Sequence, residues 1–379
     1  MGMAYILLVF AALLAIQPAR AGEIVTIGVL AFEPDDSRSK APADEGAMGA
    51  RLAIEDNNAT GRFTGQKFTL IERKIPRQAD PAEASRRLEA QGASFIVSLL
   101  DAAAVVKAAE SGLPLFNAAA PDERLRNEDC RPNLLHVLPD RAMLADGLAQ
   151  YLIKKRWNKW FLAFGSGEAD AAYAQAIRRA ARHFGAHIVT ERSWDFGTDS
   201  KPETEVPVFT QGADYDVVVV ADEANAFGDL LPYRLWFPRP VVGTQGLVAK
   251  GWDASAEDWG AIQLQNRFVR LAKRPMTSID YAAWIAVRAV GEAAARTKST
   301  DPKVLRHALS APDFSVAGFK GRQLSFREWD GQLRQPIFLA AANGLIAVSP
   351  QDGFMHPTTD LDTLGTDRPE TKCKMVRPQ

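Results

Sequence analysis

Cysteine is scarce: Cys130 and Cys373 are the only two in 379 residues. Two are too few for a disulfide framework or a cysteine-rich metal site. An excess of basic charge is missing as well, with 45 Lys and Arg against 46 Asp and Glu and a formal net charge of -1. That balance lacks the footprint of a nucleic-acid binder. After residue 16 no apolar run reaches the roughly 18 residues of a membrane-spanning helix. The segment Gly165-Ser-Gly167 has neither the G-x-S-x-G, Walker A nor G-x-G-x-x-G context. With no paired nucleophile and base in view, the reading is of a protein that is not an enzyme and needs no cofactor or metal. What is present is ordinary globular composition, 47% hydrophobic and 24% charged, in a chain long enough for two lobes.

The N-terminus carries the apolar run 5–16, followed by Ala19-Arg20-Ala21. Run length and the A-x-A pattern predict a secretory signal peptide, residues 1–21, cut between Ala21 and Gly22. An uncleaved anchor is the alternative, but 12 helical residues span about 18 Å of a hydrocarbon core near 30 Å. The mature chain is expected in the periplasm or secreted. In an oxidising space Cys130 and Cys373 read as a disulfide pinning the C-terminal tail to the body. A catalytic thiol is the alternative, and it has no neighbouring His or base.

Short apolar runs alternate with amphipathic stretches. Strands are predicted at 24–32, 67–72, 95–100 and 113–117, with helices at 45–58, 80–91 and 102–110 between them. The alternation restarts with helices at 143–155 and 171–184 and strands at 160–164, 187–190, 217–220 and 240–243. Asp80-Pro81 reads as a helix start and Gly185 as a helix stop. A long helix follows at 277–296, then a hairpin pairing 324–326 with 337–341 across Asp330-Gly331. This order predicts an α/β fold with parallel, doubly wound sheets. Trp157 and Trp160 read as packing residues, Trp252 and Trp259 as surface or cleft-rim residues. From Pro350 the chain is polar and unpatterned.

Gly28-Val-Leu, the run Gly46-Ala-Met-Gly-Ala-Arg-Leu-Ala-Ile-Glu-Asp-Asn-Asn-Ala-Thr-Gly61, Gly112-Leu-Pro-Leu-Phe, Ala120-Pro-Asp and Tyr281-Ala-Ala-Trp resemble, in order, the type I periplasmic solute-binding proteins of ABC transport systems, branched-chain amino acid group. The resemblance implies two doubly wound lobes joined by three crossovers, a solute in the cleft between them, and membrane permease subunits as partners. It places the first lobe at 22–138 plus about 266–320, the second at 139–265 plus about 321–349, and a tail at 350–379. The tail segment His356-Pro-Thr-Thr-Asp-Leu-Asp-Thr-Leu-Gly365 is similar to binding proteins associated with PQQ-dependent alcohol oxidation.

Amino-acid binders of that family place hydroxyls after the strand matching 95–100; this sequence has Asp101-Ala-Ala-Ala104 there. A negative charge repels a solute carboxylate, so a free amino acid fits poorly. Loops expected at the cleft carry Glu33, Asp35 and Asp36, Asp122 and Glu123, Glu168 and Asp170, and Asp222 and Glu223. The nominated ligand contacts are Asp35, Asp36, Asp101, Ala102, Ala119, Ala120, Glu168, Asp170, Asp222, Glu223 and Gln245. Clustered carboxylates point to a cationic solute, a hard metal ion or an amine. The plainer reading makes Asp101, Asp170 and Asp222 helix caps. His356, Asp360, Asp362 and Asp367 read as part of a docked or solvated tail before a metal site. A sensor or accessory protein of the same fold, and an α/β hydrolase, remain rival functions.

Overall fold

The computed structural model describes residues 24–34, 41–194, 202–342 and 344–374. The expected leader, and with it Asp35, Asp36, Arg38 and Lys40, lies outside the described residues. No helix among the described residues is long and apolar enough to cross a membrane.

The first half alternates β1 (Ile24–Phe32), α1 (Ala47–Thr64), β2 (Lys67–Ile75), α2 (Pro81–Ala90), β3 (Phe95–Leu99), α3 (Ala102–Ala108), β4 (Leu115–Asn117) and β5 (Leu134–His136). These strands form a parallel sheet in the order β2-β1-β3-β4-β5. Successive side chains on a strand face opposite ways. Val25, Ile27 and Val29 of β1 accordingly enter one core cluster, while Leu30 enters another with Leu88 and Val105. Apolar side chains on both faces require helices on both faces, which is why the sheet is doubly wound. Helix starts and stops follow the local chemistry. Asp80 accepts a hydrogen bond from the Ala82 N–H at 3.0 Å, with Pro81 opening α2.

The second half runs α4 (Arg141–Lys154), β6 (Lys159–Gly165), α5 (Glu168–Phe184), β7 (His187–Trp194), α6 (Pro202–Phe209), β8 (Val217–Ala221), α7 (Leu231–Arg234), β9 (Val241–Gly243) and β10 (Leu247–Lys250). Gly185 ends α5 at φ 77°, a left-handed turn that glycine takes without a side-chain clash. Then come α8 (Ala261–Ala272), α9 (Ser278–Thr297), α10 (Pro302–Ser310), β11 (Val316–Ala317), β12 (Gln323–Phe326), β13 (Leu333–Arg334), β14 (Ile337–Ala341) and β15 (Gly344–Ser349). The second sheet has the order β15-β14-β10-β9-β8-β6-β7, with β14 and β15 antiparallel at one edge. β8 is buried along its length, Val217 and Val219 facing one core and Val218 and Val220 the other.

Helix α9 returns to the first lobe and lies on α1 so closely that a Cβ on Gly49 would fall 1.9 Å from the Asp280 carbonyl oxygen. The expected late hairpin is corrected. β12 pairs with β13 across the Asp330-Gly331 turn, and 337–341 instead joins the second sheet against β10 and β15. Leu324, Phe326 and Leu333 sit in the core cluster under α9 that also holds Val25 and Ile27 of β1.

The chain passes between the two sheets near 137–140, 251–252 and 335–336, and the first and last of these segments meet in a buried polar knot. Lys320 Nζ donates to Gln335 Oε1 at 2.8 Å and to the Pro336 carbonyl at 3.0 Å. Gln335 Nε2 donates to the Val137 carbonyl at 2.8 Å. Trp252 is 1% exposed and stacks on Tyr281 with ring centroids 4.7 Å apart, which corrects the surface reading of this residue. The apolar neighbours that bury it come from elements remote in sequence.

Candidate functional site

Loops that leave the carboxyl ends of the two sheets face each other, the position in which doubly wound folds hold ligands. The recess between the lobes has a volume of about 520 Å³. Asp122, Glu123, Arg124 and Glu128 line it from the segment after β4. Glu168, Ala172, Gln175 and Arg179 line it from α5, and their spacing keeps all four on one helical face. Arg141, the first residue of α4, sits between these walls. Thr366, Glu370 and Lys372 of the tail close a third side.

Every arginine in this recess already has a carboxylate. Arg141 grips Glu223 with two hydrogen bonds of 2.8 and 2.7 Å and lies 3.7 Å from Asp122, joining the lobes. Arg179 bonds Asp146 at 2.9 Å and Glu370 at 3.1 Å. Arg124 pairs with Asp129. Among the described residues, Glu123 and Glu168 have no such partner, and Glu123 is half-buried. Burial, reinforced by the charge of Asp140, pushes the Glu123 carboxyl up to about 7, with Arg179 and Arg141 opposing. Asp146 is pushed up to about 6 by its complete burial, against the Arg179 charge.

The nominated residues separate into groups. Glu168 lines the recess directly, and Glu223 adjoins it through Arg141. Asp222 is buried, and its carboxylate accepts N–H bonds from Ala226, Phe227 and Gly228 at 2.8, 2.9 and 2.7 Å. Asp170 is buried and accepts the Gly167 and Ala224 N–H groups at 3.3 and 3.1 Å. Asp101 accepts the Ala104 N–H at 3.0 Å as the cap of α3 and lies 3.5 Å from Arg77. Ala102 packs in the first lobe's core. Ala119 and Ala120 are held by Asn117, whose Oδ1 accepts their N–H groups at 3.3 and 2.9 Å. Gln245 lines a different recess of about 630 Å³, formed by the second lobe alone with Tyr151, Trp157 and Ile346.

Arg141, Arg179 and the tail contacts were missed in the sequence. Arg141 did carry a signal, because a cation opening a helix opposes the helix dipole and calls for an acidic neighbour. In the tail the carboxylates face arginines: Asp362 accepts from Arg327 at 2.9 Å and Arg334 at 2.8 Å, and Asp360 pairs with Arg322. Cys130 and Cys373 are bonded, with their Cα atoms 5.8 Å apart.

A periplasmic binding protein family model matches residues 25–229. No curated protein matches the sequence. Among solved structures, a branched-chain amino acid ABC transporter periplasmic ligand-binding protein from Burkholderia xenovorans LB400 aligns over 93% of this chain and 99% of its own, at TM-score 0.77 and 17% identity. An ABC transporter substrate-binding protein from Desulfitobacterium hafniense in complex with Leu aligns over 86% and 99%, at TM-score 0.68 and 19% identity. A solute-binding protein of an ABC transporter from R. palustris in complex with benzoate aligns over 93% and 100%, at TM-score 0.67 and 14% identity. Two facing doubly wound sheets, a polar recess between them and the match over residues 25–229 agree: the chain belongs to the periplasmic binding protein family.

Proposed function

We propose that this protein is the periplasmic substrate-binding component of an ABC import system and takes a small organic cation into the cleft between its lobes. The observation that carries the reading is Glu123, a half-buried carboxyl in a recess whose arginines are already paired. Glu168 stands on the opposite wall, so an ammonium group would meet carboxylates from both lobes. An amine requires one or two such groups, whereas a hard metal ion takes six or more oxygens. Asp101, Asp170 and Asp222 are occupied by backbone N–H groups, which favours the amine. The solved structures with Leu or benzoate bound hold solutes with a carboxylate, which Glu123 and Glu168 here would disfavour. The tail's resemblance to binding proteins of PQQ-dependent alcohol oxidation supports a solute from that metabolism. Cleft closure on the solute would form the surface that permease subunits read.

Calorimetry on metal-stripped protein tests this with a diamine, a quaternary ammonium, lanthanum, calcium, leucine and benzoate. One-site binding of an organic ammonium, weakened at least tenfold by Glu123→Gln, is the expected result. Saturable binding of leucine or benzoate with no heat from any amine would overturn the reading, and one-site lanthanum binding would replace the amine by a metal.

A further inference from the structure

The tail does not trail from the second lobe; it crosses the cleft. Its first part is fixed at the hinge and the second lobe. Arg327, 1% exposed, donates to Asp362 at 2.9 Å and to the Leu364 carbonyl at 2.6 Å. The Gly365 N–H donates to Asp146 at 2.8 Å, and Arg179 returns a bond to the Gly365 carbonyl at 2.7 Å. The last part is fixed to the first lobe. Thr371 Oγ1 donates to the Arg126 carbonyl at 3.3 Å, the Lys372 N–H donates to Asn127 Oδ1 at 3.0 Å, and Cys373 is bonded to Cys130. Between these moorings, Thr366 and Glu370 face the recess.

We propose that residues 366–373 form a strap over the mouth of the cleft that limits how far the lobes open and supplies a third wall of the solute chamber. The limit is geometric. The eight residue steps from Gly365 to Cys373 reach at most about 29 Å when extended, and the disulfide adds its 5.8 Å Cα–Cα span, so the anchors at Gly365 and Cys130 cannot separate beyond roughly 35 Å while it holds. An opening rotation moves these anchors apart, because one belongs to each lobe. Solute therefore enters from the side of the cleft that the tail leaves open. Only the strap's role as a chamber wall rests on the cleft being the solute site; the limit on opening does not.

The test uses the folded, oxidised, solute-free protein and two ways of loosening the strap. One is reduction in situ, verified by titration of two thiols. The other keeps the disulfide and inserts four Gly/Ser residues between Arg368 and Pro369, both exposed. Small-angle scattering and amide exchange are the readouts, with circular dichroism to verify the fold. Both treatments are expected to enlarge the radius of gyration and to speed exchange at least tenfold in the cleft segments 119–124 and 168–175. If the lengthened strap leaves scattering and cleft exchange at the wild-type values, the strap proposal fails, whatever solute binds. If it succeeds while no amine binds, the strap stands and the solute reading falls.

Discussion

Glu123 and Asp222 are both acidic residues at the ends of loops, yet their surroundings give them opposite roles. Asp222 accepts three backbone N–H groups and has little capacity left for a ligand. Asp222→Ala is expected to cost about 3 kcal/mol of stability, read from a urea midpoint, since it leaves buried N–H groups unpaired. Glu123 has the reverse condition. Its carboxyl is pushed up to about 7 in the folded protein, from an ordinary value of 4.5, chiefly by burial. The proton is therefore bound more tightly in the folded state than in the unfolded state. Its contribution to stability is fully present below pH 4.5 and lost as pH rises through 7. Glu123→Gln should raise the melting temperature at pH 8 and leave it unchanged at pH 4. Binding of the proposed ammonium solute has the opposite slope, because it needs the ionised carboxylate. Amine affinity in the wild type should fall by up to about tenfold per pH unit below 7, and the Gln variant should show no such slope in calorimetry.

At the scale of elements, most of the alternation was legible because it rests on periodicity and on caps local to the sequence. β1, α2 and β8 are read from their own residues: an apolar run, an Asp-Pro start, four valines. The 324–326 strand was found but given the wrong partner, because pairing depends on which core receives Leu324 and Phe326. Burial of Trp252 by Tyr281 is a contact across 29 positions, and nothing near residue 252 announces it. The candidate site was legible as a set of acidic loops but not as an arrangement. The deciding facts are which arginine reaches which carboxylate. Gly49 shows the same dependence on a distant element. Gly49→Ala would drive a methyl into the Asp280 carbonyl and force α1 from α9. A loss of about 3 kcal/mol, measured by denaturant unfolding, is expected from that overpacking.

Across the whole molecule, two sheets, three crossovers and a returning tail tie the C-terminal segment to both lobes. The disulfide joins positions 243 residues apart. On chain-entropy grounds, Cys373→Ser should cost up to about 5 kcal/mol, seen as a lower denaturant midpoint with the second-sheet contacts intact. The same separation has a consequence for biosynthesis. Cys130 lies ahead of α9 and β11–β13, which complete the first lobe's core, and its partner follows only after 243 further residues. At about 5–20 residues per second, roughly 12–50 s pass before the pair can close. Every strand and helix of both lobes precedes Cys373 in the chain, so all of them are made before the bond can close.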